Sequence, residues 1–521
     1  MRIGDFQIES DVLKKYGGTA ETVIIPEGVT AIGESAFSHN EYLKSVVIPK
    51  TVTKIENYAF LECRHLESVI IPESVTEIGA STFCNCHALT SINISGAVSI
   101  IRKSSFLGCD NLTEITIPRA VTSIEEGAFS FCRKLTKIII PEHVTSIGIS
   151  VFYNCENLKH IRIDSQELSS IGSRTFQQCA LTEISLPDSI TTITEGLFLG
   201  CEQLKKIKLP KYLTNIEKNA FVECKSLSAL EIPETVTEIG ESAFHGCRGL
   251  TALSLPPNIT EIRYGTFMYS GVKKLVIPEG VTNIGKQCFF NSDLTELVIP
   301  SSVTALAPNT FQNTGFLEKI TVSEQNPIYA SYDGALYDKH FTTLICSPTQ
   351  KTELLLPDGV TEFAPGCFGF YYIQNLNSVT YQGITCSPLN GKFLSVQVYH
   401  LYALMDMLTK KDFSAELPWH NVTREDVVSK MFMRYPDDEK ILSYLREHVS
   451  EISRFLIKHQ KTEILSRILE IKLITASHID DLIQCAIDNR QYEIQIMLMD
   501  YKATYIGYES QEEIIRKKFE L

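Results

Sequence analysis

Nine of the fifteen cysteines in this chain recur at a nearly constant spacing, and thiolate sulfur is both a zinc ligand and a redox-active group. They are Cys63, Cys86, Cys109, Cys132, Cys155, Cys179, Cys201, Cys224 and Cys247. Zinc sites use close pairs of ligands, whereas these cysteines lie far apart in the sequence. In other copies the slot holds Asn40, Ser270, Ser292 or Thr314, which are residues that form turns. We therefore predict a column of small buried thiols at a tight turn, and no metal site.

The other residues that carry chemistry form no recognisable catalytic set. The sequence contains no G-x-x-x-x-G-K-[ST], no H-E-x-x-H and no G-x-S-x-G motif. Its twelve histidines are scattered, and His143, His160 and His245 fall at variable positions that are typical of solvated side chains. We therefore predict no catalytic residues, no cofactor and no enzymatic activity.

The cysteines belong to a repeat with a period of about 23 residues, in the range of solenoid proteins, that runs from Val23 to Phe368. Its core is L-x-x-I-x-I-P-x-x-V-T-x-I-G-x-x-A-F-x-x-C, as in the copy from Leu66 to Cys86. The β-branched run before Pro72 predicts a short strand that the proline ends, because proline lacks the N–H that a ladder needs. Residues 75–79 predict a second extended stretch, which a glycine ends with a turn.

Stacked copies turn each apolar position into a column, which no single copy can bury alone. The phenylalanine column is Phe37, Phe60, Phe83, Phe106, Phe129, Phe152, Phe176, Phe198, Phe221, Phe244, Phe267, Phe289 and Phe311. An isoleucine column runs beside it from Ile32 to Ile284. The fold class that this predicts is a β-rich solenoid with a parallel sheet, followed by a smaller all-α domain.

The repeat resembles the BspA-like (treponemal-type) leucine-rich repeat family. The matching blocks have the form I-P-x-x-V-T-x-I-G-x-x-A-F, for example from Ile48 to Phe60 and from Ile232 to Phe244. The resemblance covers about two-thirds of the chain. It implies a curved solenoid with a parallel sheet on one face and no single activity. Some members of this family are surface adhesins.

Four segments are predicted along the chain. Residues 1–22 form an N-terminal cap, residues 23–381 the solenoid with a hairpin insert at about 324–356, residues 382–394 a linker, and residues 395–521 an α-helical domain. Helices are predicted at Val396–Leu408, Thr423–Met433, Asp438–Lys458, Glu463–Ile471, His478–Asn489, Tyr492–Met499 and Gln511–Phe519. Matching segments at 461–465 and 491–495 resemble degenerate ankyrin-type helix pairs; a generic helical bundle is the alternative.

The charge and hydropathy of the chain indicate which classes of partner it is not expected to bind and in which compartment it is expected to work. A formal net charge of −14 argues against nucleic acid and against anionic membranes. The sequence has no run of 18 apolar residues, which excludes a helical membrane span, and it shows no signal peptide. These features and the reduced thiols predict a cytoplasmic protein. The alternative is a protein that reaches the cell surface or is secreted by an unrecognised route.

What remains for function is the outward surface of the strands. Alternation along one strand turns Ile161 and Ile163 into the coil. It leaves Lys159, His160 and Arg162 on the open face of the sheet. Over all copies, the candidate partner-binding residues are Ile24, Val47 and Ile70, here called the apolar end, and Lys159, His160, Arg162, Lys205, Lys206 and Lys208, here called the basic centre.

Three hypotheses for function follow. The first is a non-enzymatic protein-interaction scaffold that uses this open face to bind a protein partner. The second, by resemblance to the family, is a bacterial surface or secreted adhesin that binds proteins of a host or of neighbouring cells. The third is a cryptic activity in the helical C-terminal region, for which a deep polar pocket lined by residues 396–521 would be the sign.

Overall fold

The structure is a computed structural model that describes residues 2–368, 375–387, 398–417 and 422–507. The chain divides between Tyr329 and Ala330 into two compact units, here called unit 1 and unit 2. The architecture is a parallel-sheet solenoid of about 16 turns, followed by a region with six helices. The predicted fold class is therefore confirmed.

Unit 1 begins with an antiparallel sheet that comprises β1 (Arg2–Ile3), β2 (Phe6–Glu9) and β3 (Val12–Tyr16). The β2–β3 turn places Ser10 and Asp11 at φ of 47° and 61°. Such left-handed pairs are typical of tight hairpins. The β3 strand then pairs in parallel with the first coil, with Leu13 beside Ile32. The hairpin therefore covers the open end of the repeat stack, as a solenoid cap must.

Each coil of unit 1 except the last contributes one strand to a parallel row, here called the main sheet, and one to a second row, here called the second sheet; the hydrogen-bonded pairing along each row is interrupted at three places. The main-sheet strands are β4 (Thr22–Ile24), β6 (Ser45–Val47), β8 (Ser68–Ile70), β10 (Ser91–Asn93), β12 (Glu114–Thr116), β14 (Lys137–Ile140), β16 (His160–Ile163), β18 (Glu183–Ser185), β20 (Lys206–Lys208), β22 (Ala229–Leu230), β24 (Ala252–Leu253), β26 (Lys274–Val276), β28 (Glu296–Ile299) and β30 (Lys319–Val322). The second-sheet strands are β5 (Ala31–Ile32), β7 (Lys54–Ile55), β9 (Glu77–Ile78), β11 (Ile100–Ile101), β13 (Ser123–Ile124), β15 (Ser146–Ile147), β17 (Ser170–Ile171), β19 (Thr192–Ile193), β21 (Asn215–Ile216), β23 (Glu238–Ile239), β25 (Glu261–Ile262), β27 (Asn283–Ile284) and β29 (Ala305–Leu306).

The phenylalanine column fills the space between the two sheets. Neighbouring rings from Phe37 to Phe311 stack with centroids 4.9–6.0 Å apart and planes 4–21° from parallel. All the rings from Phe37 to Phe289 are buried. Tyr16 of the cap extends the column, with its ring 5.2 Å from that of Phe37. The cap thus continues the core as well as the sheet.

The glycine that recurs in the repeat is required for close packing between coils, and not for the turn that the sequence predicted. Gly79, Gly148 and Gly240 do not adopt a left-handed backbone. A Cβ on Gly79 would lie 2.5 Å from the backbone nitrogen of Asn57 in the preceding coil, and Gly148 and Gly240 meet the same obstacle. The coils approach too closely there for any side chain. Left-handed residues instead flank each phenylalanine, as Ser35 and His39 do around Phe37.

Unit 2 combines short strands with the helices. Its strands are β31 (Tyr329–Tyr332, which starts at the last residue of unit 1), β32 (Ala335–Asp338), β33 (Thr343–Cys346), β34 (Glu353–Leu356), β35 (Glu362–Phe363), β36 (Ser378–Tyr381) and β37 (Ile384–Cys386). The β32–β33 pair is the antiparallel hairpin expected within the insert. β34 pairs in parallel with β36 and so belongs to the resumed coil, which therefore begins slightly before the approximate end of the predicted insert.

The linker prediction also needs a correction. Residues 384–386 of the predicted linker 382–394 form β37, which pairs antiparallel with β36. Residues 388–394 lie outside the described residues. One hydrophobic core runs from Ala335 of the hairpin to Tyr501 of the last helix. The last coils therefore share a core with the helices, where the sequence suggested a linker between two domains.

The helices of unit 2 are α1 (Val398–Lys410), α2 (Arg424–Arg434), α3 (Glu439–Lys458), α4 (Thr462–Glu470), α5 (Ala476–Asp488) and α6 (Tyr492–Tyr501), followed by a π-helical turn at Lys502–Ile506. Six predicted helices are confirmed within two residues at each end; the predicted helix Gln511–Phe519 lies outside the described residues.

The internal repeat of the helical region has a geometric counterpart. After α3, Gln460 adopts φ of 55°, and the N–H of Lys461 donates to Leu456 O. After α5, Arg490 adopts φ of 56°, and the N–H of Gln491 donates to Ala486 O. The two helix pairs thus share one turn geometry, and their ankyrin-type character stays a prediction.

Candidate functional site

The candidate surface of unit 1 is the outward face of its main sheet. Parallel pairing with no offset aligns equivalent residues, so Ile24 lies beside Val47 and Val47 beside Ile70. Ile24 and Ile70 are 69% and 62% exposed, and Val47 is half-buried. The structure therefore brings the three residues of the apolar end together as one strip across three strands.

The basic centre lies farther along the same face. His160, Glu183 and Lys206 are partners in the ladder of β16, β18 and β20, so an acidic residue separates these two basic ones. Arg162 donates from its guanidinium to Asp164 at 3.0 Å. The positive charge of Arg162 is therefore partly neutralised within its own coil. The sequence alone does not reveal this ion pair.

The lysines of the basic centre differ from Arg162. Lys159, Lys205, Lys206 and Lys208 are all exposed. None of the four forms an ion pair with the residues that the structure describes, whereas other cations of unit 1, such as Lys218 and Lys225, do. These four lysines, here called the unpaired lysines, therefore carry the free positive charge of this face.

One coil under the basic centre is irregular. Ile161 and Ile163 alternate with the exposed His160 and Arg162, as predicted, but both are only half-buried. β16 pairs with β18 only through His160 and Glu183, and the extra residue in Ser165–Leu168 follows this strand. Next to this coil, a groove of about 440 Å³ is lined by Thr116, Ile139 and Arg162, among others.

The cysteine column is structural in its geometry. Each of the nine thiols donates to the carbonyl oxygen of the phenylalanine in the preceding coil, at Sγ–O distances of 3.0–3.3 Å. Burial raises the pKa of Cys63, Cys155, Cys201 and Cys247 to about 12. Protonated, desolvated thiols are poor nucleophiles and poor metal ligands. Within residues 2–368, 375–387, 398–417 and 422–507, no three His, Cys, Asp or Glu side chains are placed to hold a metal ion.

One polar pocket in unit 2 has no counterpart in the sequence patterns. It has a volume of about 440 Å³ and lies between the segment after α1, the start of α2 and the first half of α3. Its lining includes Phe413, Arg424, Lys440, Tyr444 and His448. These residues come from three separate segments of the chain and belong to no motif, so no pattern could have indicated the pocket.

The described helices include none with the length and apolar composition that crossing a bilayer requires.

Similar proteins of known structure include bacterial leucine-rich repeat proteins. No curated protein matches the chain. A leucine-rich cell surface protein from Faecalibacterium prausnitzii A2-165 is 28% identical, over 62% of this chain and 94% of its own, with a TM-score of 0.42. A leucine-rich repeat protein from Bacteroides ovatus is 24% identical, over 71% of this chain and 91% of its own, with a TM-score of 0.41.

A leucine-rich repeat protein of T. pallidum is 25% identical, over 43% of this chain and 88% of its own, with a TM-score of 0.29. The family described as BspA type leucine-rich repeat region matches at residues 7–136, 122–247 and 214–332, which together span more than half of the chain. The repeat, its columns and this match lead to one conclusion: the chain belongs to the BspA-type leucine-rich repeat family.

Proposed function

We propose that this protein is a non-enzymatic interaction scaffold whose main sheet binds an acidic protein surface that also carries an apolar contact. Repeat scaffolds of this family's type generally serve as interaction platforms rather than enzymes. The observation that carries the proposal is the combination, on one face, of an exposed apolar end and the four unpaired lysines.

The apolar end supplies a contact that water disfavours. Ile24 and Ile70, both strongly exposed and in register with Val47 between them, form a contiguous apolar strip. Covering an isoleucine side chain completely is worth about 1.5–3 kcal/mol. A partner that buries this strip gains binding free energy there without having to compensate any charge.

The unpaired lysines supply charge complementarity. In a chain with a net charge of −14, four exposed lysines that form no ion pair within the described residues place free positive charge on one part of the surface. Such patches steer an oppositely charged partner and set its orientation more than they raise its affinity. Glu183 lies between His160 and Lys206 and reduces the positive charge there. The partner's carboxylates are therefore expected to face Lys205 and Lys208.

The spacing along the solenoid sets the size of the partner. Four strand spacings separate Ile70 on β8 from Arg162 on β16, which is about 19 Å at the usual strand separation. Eight spacings, or about 38 Å, separate Ile24 from Lys208. A folded domain covers such a length, and an interface of standard size has similar dimensions.

The test is affinity capture of partners from the native host by the tagged full-length chain. A triple Lys159→Glu, Lys205→Glu and Lys208→Glu variant is expected to lose most of the captured partner, and an Ile24→Ser and Ile70→Ser variant is expected to lose it as well. The matched control is Lys286→Glu, an exposed lysine beside the second sheet. Loss with the first two variants and retention with the control supports the proposal; equal recovery with all variants contradicts it.

We further propose that the protein works in a reducing compartment, as its cytoplasmic prediction requires. All fifteen cysteines are free thiols, and nine of them are used as hydrogen-bond donors in the core. Oxidising compartments favour disulfides instead. Fractionation of the native host tests this: recovery of the chain from the cell surface or the medium would favour the adhesin alternative and contradict the cytoplasmic one.

A further inference from the structure

The last described helix of unit 2 carries an apolar face that the described residues leave exposed. Tyr492 and Ile496 are both 68% exposed, and Met499 is 42% exposed. Their spacings of four and three residues place the three side chains on one face of α6. Ile494 and Leu498, on the opposite face, are buried in the core of unit 2. Contiguous exposed side chains of this kind mark a contact surface more often than single ones do.

The preceding helix pair shows what this face lacks. The internal match at a spacing of 30 residues makes Leu469 of α4 the counterpart of Met499 of α6. It likewise makes Ile457 of α3 the counterpart of Ile487 of α5. Leu469 and Ile457 are at most 6% exposed, whereas their two counterparts are each 42% exposed. Because α3 packs against α5 and α4 against α6, the first pair has a helical neighbour, and the second has none after it among the described residues.

The chain continues with a segment whose composition suits this face. Residues 508–521 follow the π-helical turn and Gly507, lie outside the described residues, and contain the predicted helix Gln511–Phe519. Ile515 and Phe519 are four residues apart, so they share one face of that predicted helix. The sequence of the segment thus offers an apolar strip that matches the strip on α6.

The segment has the right length to lie alongside α6. The ten residues of α6 give a length of about 15 Å, and the nine residues of the predicted helix give about 14 Å. Gly507 donates from its N–H to Lys502 O, so the segment starts beside the end of α6. The four residues from Gly507 to Gln511 span up to about 14 Å, and packed helices lie about 8–10 Å apart. The segment can therefore run antiparallel to α6 within one chain.

Charge favours this segment over a second copy of α6. Glu493 and Asp500 flank the apolar face, are exposed, and form no ion pair with the described residues. Three cations stand at 516–518, the end of the segment that meets Glu493 in an antiparallel arrangement. Glu512 and Glu513 stand in the first turn of the predicted helix, where negative charge is favourable. Two copies of α6 facing each other would instead bring carboxylates against carboxylates.

We propose that residues 511–519 pack as a helix along the exposed face of α6. Ile515 and Phe519 then lie against Ile496, in the place that a further helix of the stack would take. Because the segment is tethered to α6, its effective concentration is about millimolar, and a weak contact is enough to keep it docked. A protein that binds this face of α6 must displace the segment first. The contact does not involve the main sheet of unit 1, so it is independent of the proposed function.

The test is limited proteolysis of the full-length chain with trypsin, followed by intact mass spectrometry. The segment carries cleavage sites at Arg516, Lys517 and Lys518. A synthetic peptide of residues 508–521 gives the cleavage rate of the uncovered segment. The full-length chain is expected to be cut at these sites at least about tenfold more slowly than the peptide, because cleavage of a covered site follows the population of its open form.

Two variants remove the two sides of the contact. Ile496→Ser and Phe519→Ser are each expected to bring cleavage in the segment close to the rate of the peptide. The double variant is expected to be cut no faster than either single one, because both changes act on the same contact. Ile496 is exposed, so its replacement leaves the core of unit 2 intact. The matched control is Tyr399→Ser on α1, where the tyrosine is 58% exposed, and it should keep the slow rate.

Four results would overturn the proposal. The first is cleavage of the unchanged chain at the rate of the peptide, and the second is a slow rate that persists in both single variants. The third is acceleration by Tyr399→Ser as large as that by Ile496→Ser, which would indicate a general loosening of unit 2. The fourth is protection that disappears on dilution, which would assign the contact to a second copy of the chain.

Discussion

The interior of unit 1 and the pocket of unit 2 treat buried polar groups in opposite ways. In unit 1, each column thiol donates to a phenylalanine carbonyl of the preceding coil, and this bond recurs nine times. In unit 2, the hydroxyl of Tyr444 and the Nε of Arg424 are buried without an acceptor in the described chain. In a repeat, one hydrogen-bonding arrangement that satisfies a buried group recurs in every coil that has the same residue. The non-repetitive packing of unit 2 leaves these two donors unsatisfied.

Ser270 is an informative exception within unit 1. It occupies the cysteine slot, yet its hydroxyl is buried without a hydrogen-bond partner among the residues that the structure describes. Ser292 and Thr314, in the same slot, donate to the phenylalanine carbonyl of their own coil instead. The longer C–S bond of cysteine extends the thiol farther than a hydroxyl, and the thiols reach the neighbouring coil where Ser292 and Thr314 do not.

The largest expected effect is alkaline destabilisation of the solenoid. An unfolded thiol ionises near its ordinary pKa of 9.0, whereas burial raises the pKa of Cys155, Cys201 and Cys247 to about 12. Between pH 9 and pH 12 the folded state keeps thiol protons that the unfolded state has lost. The free energy of unfolding is therefore highest below pH 9 and falls as the pH rises towards 12. Each thiol contributes a loss of about 1.4 kcal/mol per pH unit. Urea unfolding between pH 8 and 10.5 measures the slope.

The control for this prediction is a triple alanine variant at Cys155, Cys201 and Cys247. Its pH slope above pH 9 is expected to be shallower, because three of the ionising groups are gone. An identical slope in both proteins would assign the alkaline transition to other groups.

The second effect tests the phenylalanine column. Phe129 is fully buried between Phe106 and Phe152, with ring centroids 5.4 and 5.6 Å away. Phe129→Ala leaves a cavity that rigid coils on both sides cannot close, and a loss of about 3–5 kcal/mol is expected. Denaturant unfolding followed by circular dichroism measures it. The matched control, Phe311→Ala at the half-buried end of the column, should cost less; equal losses would show that the burial of the ring does not set the cost.

A smaller effect, of opposite sign, is expected at Ser270. Ser270→Cys installs the residue that nine other coils use and removes a buried unsatisfied hydroxyl, so the free energy of unfolding should rise by about 1 kcal/mol. Ser292→Cys is the matched control, since Ser292 Oγ already donates to Phe289 O at 2.8 Å. A gain at Ser292 as large as that at Ser270 would refute the hydrogen-bond explanation.

The smallest effect is expected in the pocket of unit 2. Tyr444→Phe removes a buried hydroxyl that has no acceptor in the described chain, so the protein should melt at the same temperature as the parent or slightly higher. Differential scanning calorimetry of the full chain measures this. A drop of several degrees would mean that the hydroxyl is satisfied in the folded protein, and it would remove the contrast between the two units.

Periodicity made most of the fold predictable. The alternation around Ile24, Val47 and Ile70, the proline after each strand and the phenylalanine of each copy specify coils, columns and parallel register together. The helices could also be predicted from the sequence, because apolar residues at helical spacing indicate them and short-range hydrogen bonds form them. The boundary between the last coils and the helices could not be predicted, because a shared core depends on contacts between residues far apart in sequence.

The sequence by itself determined the strands, the buried columns, the six described helices and which residues lie on the open face. The tertiary structure alone decided which charges are paired, since Arg162 meets Asp164 while Lys159 and Lys208 meet no carboxylate in the described chain. It alone showed that Gly79 makes room for the preceding coil, and it alone brought Arg424 to Tyr444. Local patterns set backbone conformation and burial, whereas ion pairs, close approaches and pockets depend on distances between residues that only the folded chain brings together.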